Sequence, residues 1–595
     1  MTGGLKTRQL GITPALVESY GEAIFDLSHN HQVRRGDPIR TKDFDAIAAN
    51  RAELGLSDGQ IAARLGLTHA QVTYIRNVME RRHFRRDHYH RLNHLGGGKR
   101  FRAERARELE TREEMTESAE RLANAMRYPA TLVKYYVAQG WWANDTLHGW
   151  LSGHAGTRPD AIALQSDDDS MTFSQLHRAV QVLAAGLYEL GIRPGDVVAV
   201  QLPNDCEFVQ TYLAICRLGA VMTTLYLPHR EAEFRSLLAF AQAKAIVVGA
   251  DQGDFSPVAT AIALREVLPS LEHVIVARNG ARQEGTTVPL GRLCASETVL
   301  PAHIEPRGAD PFLLLFTSGT TSAPKAVPLS YQNMLSNARL SAPEHQLSAN
   351  DKVLSAPPFG HLYALYSLHL ALWAGATTVL LPVFSPPALA ACLRTHLPSA
   401  LFSAPAHMAA CLGLGLLDKQ VLGKLKLLVM SGSAVPGNIA RAVQALMPHG
   451  TVSQLWGMTE TQAGLFTRPG DSLQVVAGSA GRPSAGTQAR IVTDDATELG
   501  PGTEGELQVR GYLLFPGYLD NADANAACMS EDGWFSAGDL ANQDAHRNIA
   551  ITGRIKGIIN RGGVKYNPRD IEDLLDQQEQ VSASAIVPMP DPVLG

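Results

Sequence analysis

Thr317-Ser318-Gly319-Thr320-Thr321-Ser322-Ala323-Pro324-Lys325 gathers hydroxyls, a glycine and one cation into a single short stretch. Backbone N–H groups, hydroxyl donors and a terminal ammonium together suit a polyphosphate, which needs many short hydrogen bonds and charge neutralisation. The string is not a Walker loop: Pro324 precedes the lysine and Ala326 follows it, where G-x-x-x-x-G-K-[ST] requires glycine and a hydroxyl residue. Taken alone, it reads equally well as a surface loop rich in Ser and Thr. The residues around it narrow the choice of architecture. Phe312 to Phe316 (FLLLF) is an apolar strand leading into the loop, and Ser330 can cap a helix running from Tyr331.

From about Pro159 onward the chain alternates in this manner. Val197 to Leu202 (VVAVQL) and Ala245 to Val248 (AIVV) read as short buried strands with helical patterns between and after them. Such alternation predicts an α/β fold with mostly parallel, helix-covered sheets, and places ligands beyond the carboxyl ends of the strands. The 595 residues, 45% hydrophobic and 19% charged, suffice for several domains and exclude a disordered chain, a collagen-like repeat or a small disulfide scaffold. A formal net charge of −5 excludes a chain that binds nucleic acid through its overall charge. The cysteines (Cys206, Cys216, Cys294, Cys392, Cys411 and Cys528) form no C-x-x-C pair and no zinc-finger spacing, which fits buried thiols in a reducing compartment. The first twenty residues lack the apolar run of a secretory signal. Ala364 to Leu381 is the most membrane-like stretch, but Ser367, His369, Gly375, Thr377 and Thr378 interrupt it. A buried helix, a turn and a short strand are therefore expected there, in a soluble cytoplasmic protein without a membrane span.

Composition changes near residue 130, and residues 1–130 are expected to form a helical extension. Within it, residues 58–77 have the spacing of a helix-turn-helix unit. Ile61, Ala62 and Leu65 make one stripe, Gly66 permits a turn, Thr68 can cap a second helix, and Val72 and Ile75 face back. Arg76 to Glu108 carries eleven Lys and Arg residues against four acids. Two readings follow: contact with DNA through the second helix and the basic stretch (58–108), or a helical docking module whose charges are solvated.

Further segments recur in order after the hydroxyl loop. They are Ser431-Gly432-Ser433-Ala434, Trp456-Gly457-Met458-Thr459-Glu460, Gly505-Glu506-Leu507, Ser536-Ala537-Gly538-Asp539 and Gly553-Arg554-Ile555-Lys556, with Thr172-Phe173-Ser174-Gln175-Leu176 upstream. With these the chain, from about residue 140 to its end, resembles the adenylate-forming (acyl-CoA synthetase, AMP-binding) superfamily. The resemblance implies a large N-domain over 131–555, built of two helix-covered β-sheets and a distorted β-barrel subdomain. It implies the start of a small α+β C-terminal lid over 556–595, with Lys556 as hinge. The implied cofactors are ATP, Mg²⁺ and coenzyme A. Thr317, Ser318, Gly319, Thr320, Thr321 and Lys325 would hold the phosphates, and Thr459 the α-phosphate. Glu460 would hold Mg²⁺, and Gly432, Ser433 and Ala434 would flank adenine. Trp456, followed by Gly457 and Met458, would stack on the adenine ring, and Asp539 and Arg554 would hold the ribose.

The implied reaction is carboxylate plus ATP giving acyl-adenylate and pyrophosphate, then thiol attack giving a thioester and AMP, catalysed by Lys325, Thr459, Glu460 and His361. Pro358-Phe359-Gly360-His361-Leu362-Tyr363 resembles the family segment beside the carboxylate entrance, which makes His361 and Tyr363 the expected substrate contacts; a core histidine bonded to backbone is the other reading of His361. No Asp is placed to grip an ammonium group, which favours an alkyl, alicyclic or aryl acid. The chain departs from the family pattern at Ser322 and Ala326, which replace glycines, and in ending at Gly595, before the family's late lysine. A shortened lid with impaired adenylation is therefore expected. Two further functions are compatible with the sequence: a DNA-binding regulator whose ligase-like body senses an acid, and acyl loading of a carrier protein.

Overall fold

The computed structural model describes residues 19, 24, 58–83, 117–126, 128–278, 280, 285–317, 324–555, 559–561, 564–566, 568–575, 581 and 584–587. Ser318, Gly319, Thr320, Thr321, Ser322, Lys556 and most of the basic stretch, from residue 84 onward, lie outside the described residues. The chain divides into two compact units, Met1–Glu113 and Glu114–Gly595.

In the first unit, helices Asp58–Leu65 and His69–His83 are joined through Gly66, whose φ of +65° a residue with a Cβ adopts at a cost. Thr68 caps the second helix, accepting from the Gln71 N–H while the Gln71 side chain accepts from Thr68 N–H. Ile61, Val72 and Ile75 are buried, as the stripe predicts. Arg76, the first residue of the basic stretch, turns inward: its Nε lies 2.7 Å from Asp58 Oδ1, and Thr73 Oγ1 donates to Asp58 Oδ2. Its charge is thus committed inside the helix pair.

The second unit holds three main sheets. Strands β1 (Ile162–Gln165), β2 (Ser170–Thr172), β3 (Val197–Gln201), β4 (Val221–Thr224), β5 (Ala245–Val248), β6 (His273–Val276), β7 (Val288–Pro289), β8 (Pro311–Thr317) and β9 (Lys325–Ser330) come first. They are followed by β10 (Lys352–Ser355), β11 (Thr377–Val379), β12 (Ala400–Ser403), β13 (Leu427–Met430), β14 (Thr451–Met458), β15 (Gln462–Phe466) and β16 (Arg482–Pro483). One sheet has seven strands in the order β7-β6-β5-β3-β4-β8-β9, the other nine in the order β16-β15-β14-β13-β12-β10-β11-β1-β2, and the inner strands of both are parallel. Near-continuous apolar strands such as VVAVQ and AIVV are buried on both faces, as a parallel sheet covered by helices requires. The third sheet is antiparallel: β17 (Thr487–Val492), β18 (Gly505–Gly511), β19 (Phe535–Gln543) and β20 (Ile549–Arg554). A short hairpin, β21 (Ile559–Arg561) with β22 (Val564–Tyr566), and helix Pro568–Leu575 follow. The membrane-like stretch is the buried helix Leu362–Ala374, a turn at Gly375 and β11, and among the described residues no helix is long and apolar enough to cross a membrane.

Packing of the second unit begins upstream of residue 131. Leu122 of helix Glu117–Ala125 is buried with Val197, Val221 and Ile246, and Arg121 Nε lies 2.6 Å from Asp520 Oδ2. The charges of this segment resemble those of the preceding extension, which is why composition alone put the change at 130.

The carboxyl ends of the two large sheets meet through Asn204. Following β3, it accepts from Phe359 N–H at 2.6 Å, donates to the Pro357 carbonyl at 2.9 Å, and gives its own N–H to the Pro382 carbonyl. At the end of β4, Thr224 Oγ1 donates to the Gly360 carbonyl at 2.7 Å. Asn204 is buried, so replacing it by Ala strands a main-chain donor and an acceptor; a loss of about 2–4 kcal/mol in unfolding free energy is expected. Chemical denaturation monitored by tryptophan fluorescence would measure it, and a loss below about 0.5 kcal/mol would show that the sheets are not held there.

Candidate functional site

Beyond those carboxyl ends, side chains from all three sheets converge. Lys325 opens β9, opposite Thr317 at the end of β8, so the hairpin brings together the two ends of the hydroxyl loop. Its ammonium lies 4.6 Å from the centroid of the Tyr518 ring. The Tyr518 hydroxyl donates to Glu460 Oε1 at 2.7 Å. Glu460 lies with half-buried Thr459 in the turn joining β14 to β15 and is only 6% exposed. Gly457, before this turn, has no room for a side chain, because a Cβ would collide with the Gln462 carbonyl; Gln462 itself adopts φ of +50° to close the turn.

Trp456, on β14, donates its indole N–H to Asp539 Oδ2 at 2.8 Å. Asp539 on β19 faces Arg554 at the end of β20 across the ladder, and Arg554 Nε lies 2.6 Å from Asp539 Oδ1. Ser536–Asp539 and Gly553–Arg554 are thus two sides of one strand pair. Gly432, Ser433 and Ala434 are exposed in the turn after β13, the strand paired with β14. The Lys325–Tyr518–Glu460 group and the Trp456–Asp539–Arg554 group are coupled by charge, Arg554 acting on Glu460 as well as on Asp539.

Burial dominates the electrostatics. It pushes the Glu460 carboxyl above its ordinary range, against the opposing pull of the Tyr518 hydroxyl and the charges of Lys325 and Arg554. It does the same to Asp539, opposed by Arg554 and by the Trp456 N–H. Two carboxylates held among fixed donors can accept sugar hydroxyls or hold a hard cation, and Lys325 and Arg554 can balance anionic oxygens.

His361 and Tyr363 part company. The Tyr363 hydroxyl donates to the Val429 carbonyl at 2.8 Å within the core, so it is a packing residue and not a lining one. One residue either way along the helix start changes which side faces the core, and the motif spacing does not register that. His361 caps helix Leu362–Ala374, its Nδ1 accepting from Tyr363 N–H at 3.2 Å. Nδ1 therefore lacks a proton, leaving Nε2 as the N–H donor. His361 keeps solvent access while surrounding protein mass lowers its pKa, the combination a cleft wall produces. The Tyr226 ring, at the end of β4, lies alongside His361 with centroids 6.3 Å apart, and Gly360 makes room for it: a Cβ there would be 3.0 Å from Tyr226 Cδ1.

Three contributors escaped the motif analysis: Tyr518, Tyr226 and Asn204. The signal for Tyr518 was the Phe515-Pro516-Gly517-Tyr518 turn, an aromatic delivered by a glycine at φ of +129°. Tyr226 and Asn204 gave none beyond lying just after apolar strands.

A sequence profile described as AMP-binding enzyme matches residues 151–519. The salicyl-AMP ligase / salicyl-S-ArCP synthetase of Mycobacterium tuberculosis (strain ATCC 25618 / H37Rv) is 34% identical over 486 residues, covering 80% of this chain and 84% of that protein. The medium-chain fatty-acid–CoA ligase of Escherichia coli (strain K12) is 32% identical over 464 residues, covering 77% and 81%. The apo structure of Mycobacterium smegmatis MbtA superposes with a TM-score of 0.66 at 34% identity, covering 79% of this chain and 87% of that one.

Trp456→Phe removes the N–H donor to a buried carboxylate together with part of the packed indole, and only the first loss depends on pH. The folded carboxyl of Asp539 already sits above its ordinary value, and losing the donor raises it further. The variant is therefore expected to lose about 1.5–3 kcal/mol of unfolding free energy at mildly alkaline pH. The loss should fade as pH falls through the raised carboxyl pKa, because a neutral acid no longer needs the donor. Denaturant titrations at several pH values read this directly, and a pH-independent loss would mean that the indole contributes packing alone.

Proposed function

The chain belongs to the AMP-binding enzyme family, and from that premise we propose that it adenylates an uncharged-chain or aryl carboxylic acid with ATP and passes the acyl group to a thiol. The observation that carries this reading is the pair of clusters Lys325–Tyr518–Glu460 and Trp456–Asp539–Arg554, whose members come from three sheets and are coupled through the Arg554 charge acting on Glu460. Lys325 neutralises the outer phosphates together with the hydroxyl loop. Asp539 accepts the ribose hydroxyls, assisted by Arg554, while Trp456 and the 432–434 turn border adenine.

Magnesium fits Glu460. Among the described residues no group of three or more His, Cys, Asp or Glu side chains forms a cage. An ion here would have one protein carboxylate and take its other ligands from phosphate and water, which is the habit of Mg²⁺. When bound, it supplies charge neutralisation at the phosphates. The residues do the rest by positioning. The His361 Nε2–H orients one carboxylate oxygen of the acid, and its neutral ring adds no charge that would trap the anion. The other oxygen attacks the α-phosphorus as the bond to pyrophosphate breaks, giving the acyl-adenylate; Thr459 donates to the α-phosphate. Fixed donors aimed at the developing charge provide most of the acceleration. A thiol sulfur then attacks the acyl carbon and AMP leaves.

The cleft around His361 is bordered by Tyr226, Thr224 and Gly360, without a carboxylate to meet an ammonium group. This supports a ring or alkyl acid over an amino acid. Coenzyme A is the proposed acceptor. Carrier-protein loading is the second reading, favoured by the salicyl-S-ArCP synthetase among the relatives.

Pyrophosphate exchange into ATP, measured across salicylate, benzoate, octanoate and phenylalanine with the full chain, tests the reading. Exchange with at least one of the first three and none with phenylalanine is expected; exchange with the amino acid alone, or with none, overturns it. Asp539→Asn should lower kcat/KM for ATP by about tenfold to a hundredfold, the worth of buried hydrogen bonds to a charged acceptor, without changing KM for the acid. An equal rise in both KM values would place Asp539 outside the nucleotide site.

A further inference from the structure

Lys325, half-buried, and Glu460, buried, are opposite charges with Tyr518 as a shared neighbour, yet no ion pair joins them. In a low-dielectric site, an ammonium and a carboxylate left to themselves collapse together, because their attraction rises steeply as water is excluded. The group between them is Tyr518, which satisfies each charge with a different part of one neutral side chain. Its ring face takes the ammonium at 4.6 Å, and its hydroxyl donates to Glu460 Oε1 at 2.7 Å.

Tyr518 is itself held from every side. Its N–H donates to Asn525 Oδ1 at 2.6 Å, and its carbonyl accepts from Asn525 Nδ2 at 2.9 Å. Next along the chain, Leu519 N–H donates to the Ala326 carbonyl at 2.9 Å, adjoining Lys325; before it, Phe515 N–H donates to the Glu460 carbonyl at 3.0 Å. The Phe515 ring meets the Tyr518 ring edge-on, with centroids 4.8 Å apart. The segment 515–519 is therefore stitched by its main chain to both charged partners, and the ring between them cannot swing aside without losing its hydroxyl bond to Glu460 and its edge contact with Phe515.

We infer that Tyr518 is a positioning residue that keeps Lys325 and Glu460 from pairing with each other, so that a triphosphate and its divalent cation find both charges unspent. The inference rests on the nucleotide reading above and assigns no contact between Tyr518 and substrate. It has a signature that a purely structural role lacks. Removing the spacer lets the lysine and the glutamate neutralise each other, and removing the glutamate as well frees the lysine again.

The test is equilibrium ATP binding by calorimetry on the full chain, with EDTA and with saturating Mg²⁺, for the unmodified protein and four variants. Tyr518→Phe keeps the ring and deletes the hydroxyl: affinity in EDTA should stay within twofold, while the gain on adding Mg²⁺ falls about tenfold, the worth of one charge-assisted hydrogen bond. Tyr518→Leu should lose about tenfold already in EDTA, as the phosphate-binding lysine becomes engaged by Glu460. Adding Glu460→Gln to Tyr518→Leu should raise the EDTA affinity by more than Glu460→Gln does alone, because only the double variant also frees the lysine. Equal losses with and without Mg²⁺ and no rescue by Glu460→Gln would make Tyr518 merely structural, and unaltered binding in both Tyr518 variants would also overturn the inference. Should Tyr518→Leu fail to fold, the split between EDTA and Mg²⁺ in Tyr518→Phe decides alone. Absence of ATP binding in the unmodified protein under both conditions would instead remove the nucleotide reading itself.

Discussion

A carboxylate withdrawn from water costs several kcal/mol unless donors meet it, and this molecule withdraws two within a few residues of one another in space. Glu460 is 6% exposed and Asp539 1%. No single strand can supply the required donors, since a strand offers one side chain per face every second residue. The donors accordingly come from different sheets: an indole from the nine-stranded sheet, a guanidinium from the antiparallel sheet, and a tyrosine from the segment tied to the seven-stranded sheet. The position of the site thus follows from the junction where all three meet. The same junction explains the glycine at 457 and the left-handed Gln462, which turn the chain sharply enough to present Glu460 inward.

Much of this was legible in advance because it is local. A strand, a loop, a capped helix and a buried apolar stretch each announce themselves within a dozen residues, and Ser330 and Thr68 cap the helices their positions predict. The ordered motifs marked Lys325, Glu460 and Asp539 through resemblance, and Tyr518 lies between the first two while Asp539 sits with Trp456 and Arg554. What stayed hidden was pairing at long range. Nothing near Asn204 reveals that it will meet Pro357, and nothing near Trp456 reveals Asp539, because those contacts exist only once the sheets have stacked. Tyr363 misled for the complementary reason: a polar aromatic beside a site residue reads as a ligand contact until the helix rotation sends its hydroxyl to Val429. The charge-rich segment at 117–125 read as extension because a helix that buries one leucine stripe can carry charges on every other face.

The two ends of the crevice differ in character. Around Glu460 and Asp539 it is charged and tightly hydrogen-bonded; around His361 it is aromatic, with a neutral imidazole whose tautomer the helix start dictates. The latch at Asn204 ties the segment that leads to His361 to the end of β3 in the seven-stranded sheet.

Asp539 is restrained unequally. The indole that bonds one of its oxygens is packed against Gly464 and cannot leave, whereas the guanidinium on the other oxygen belongs to a side chain 65% open to solvent. An incoming pair of hydroxyls can therefore displace the arginine from the wet side while the tryptophan keeps the carboxylate in register. One of its donors is thus fixed and the other exchangeable, with no need for the carboxylate ever to stand bare.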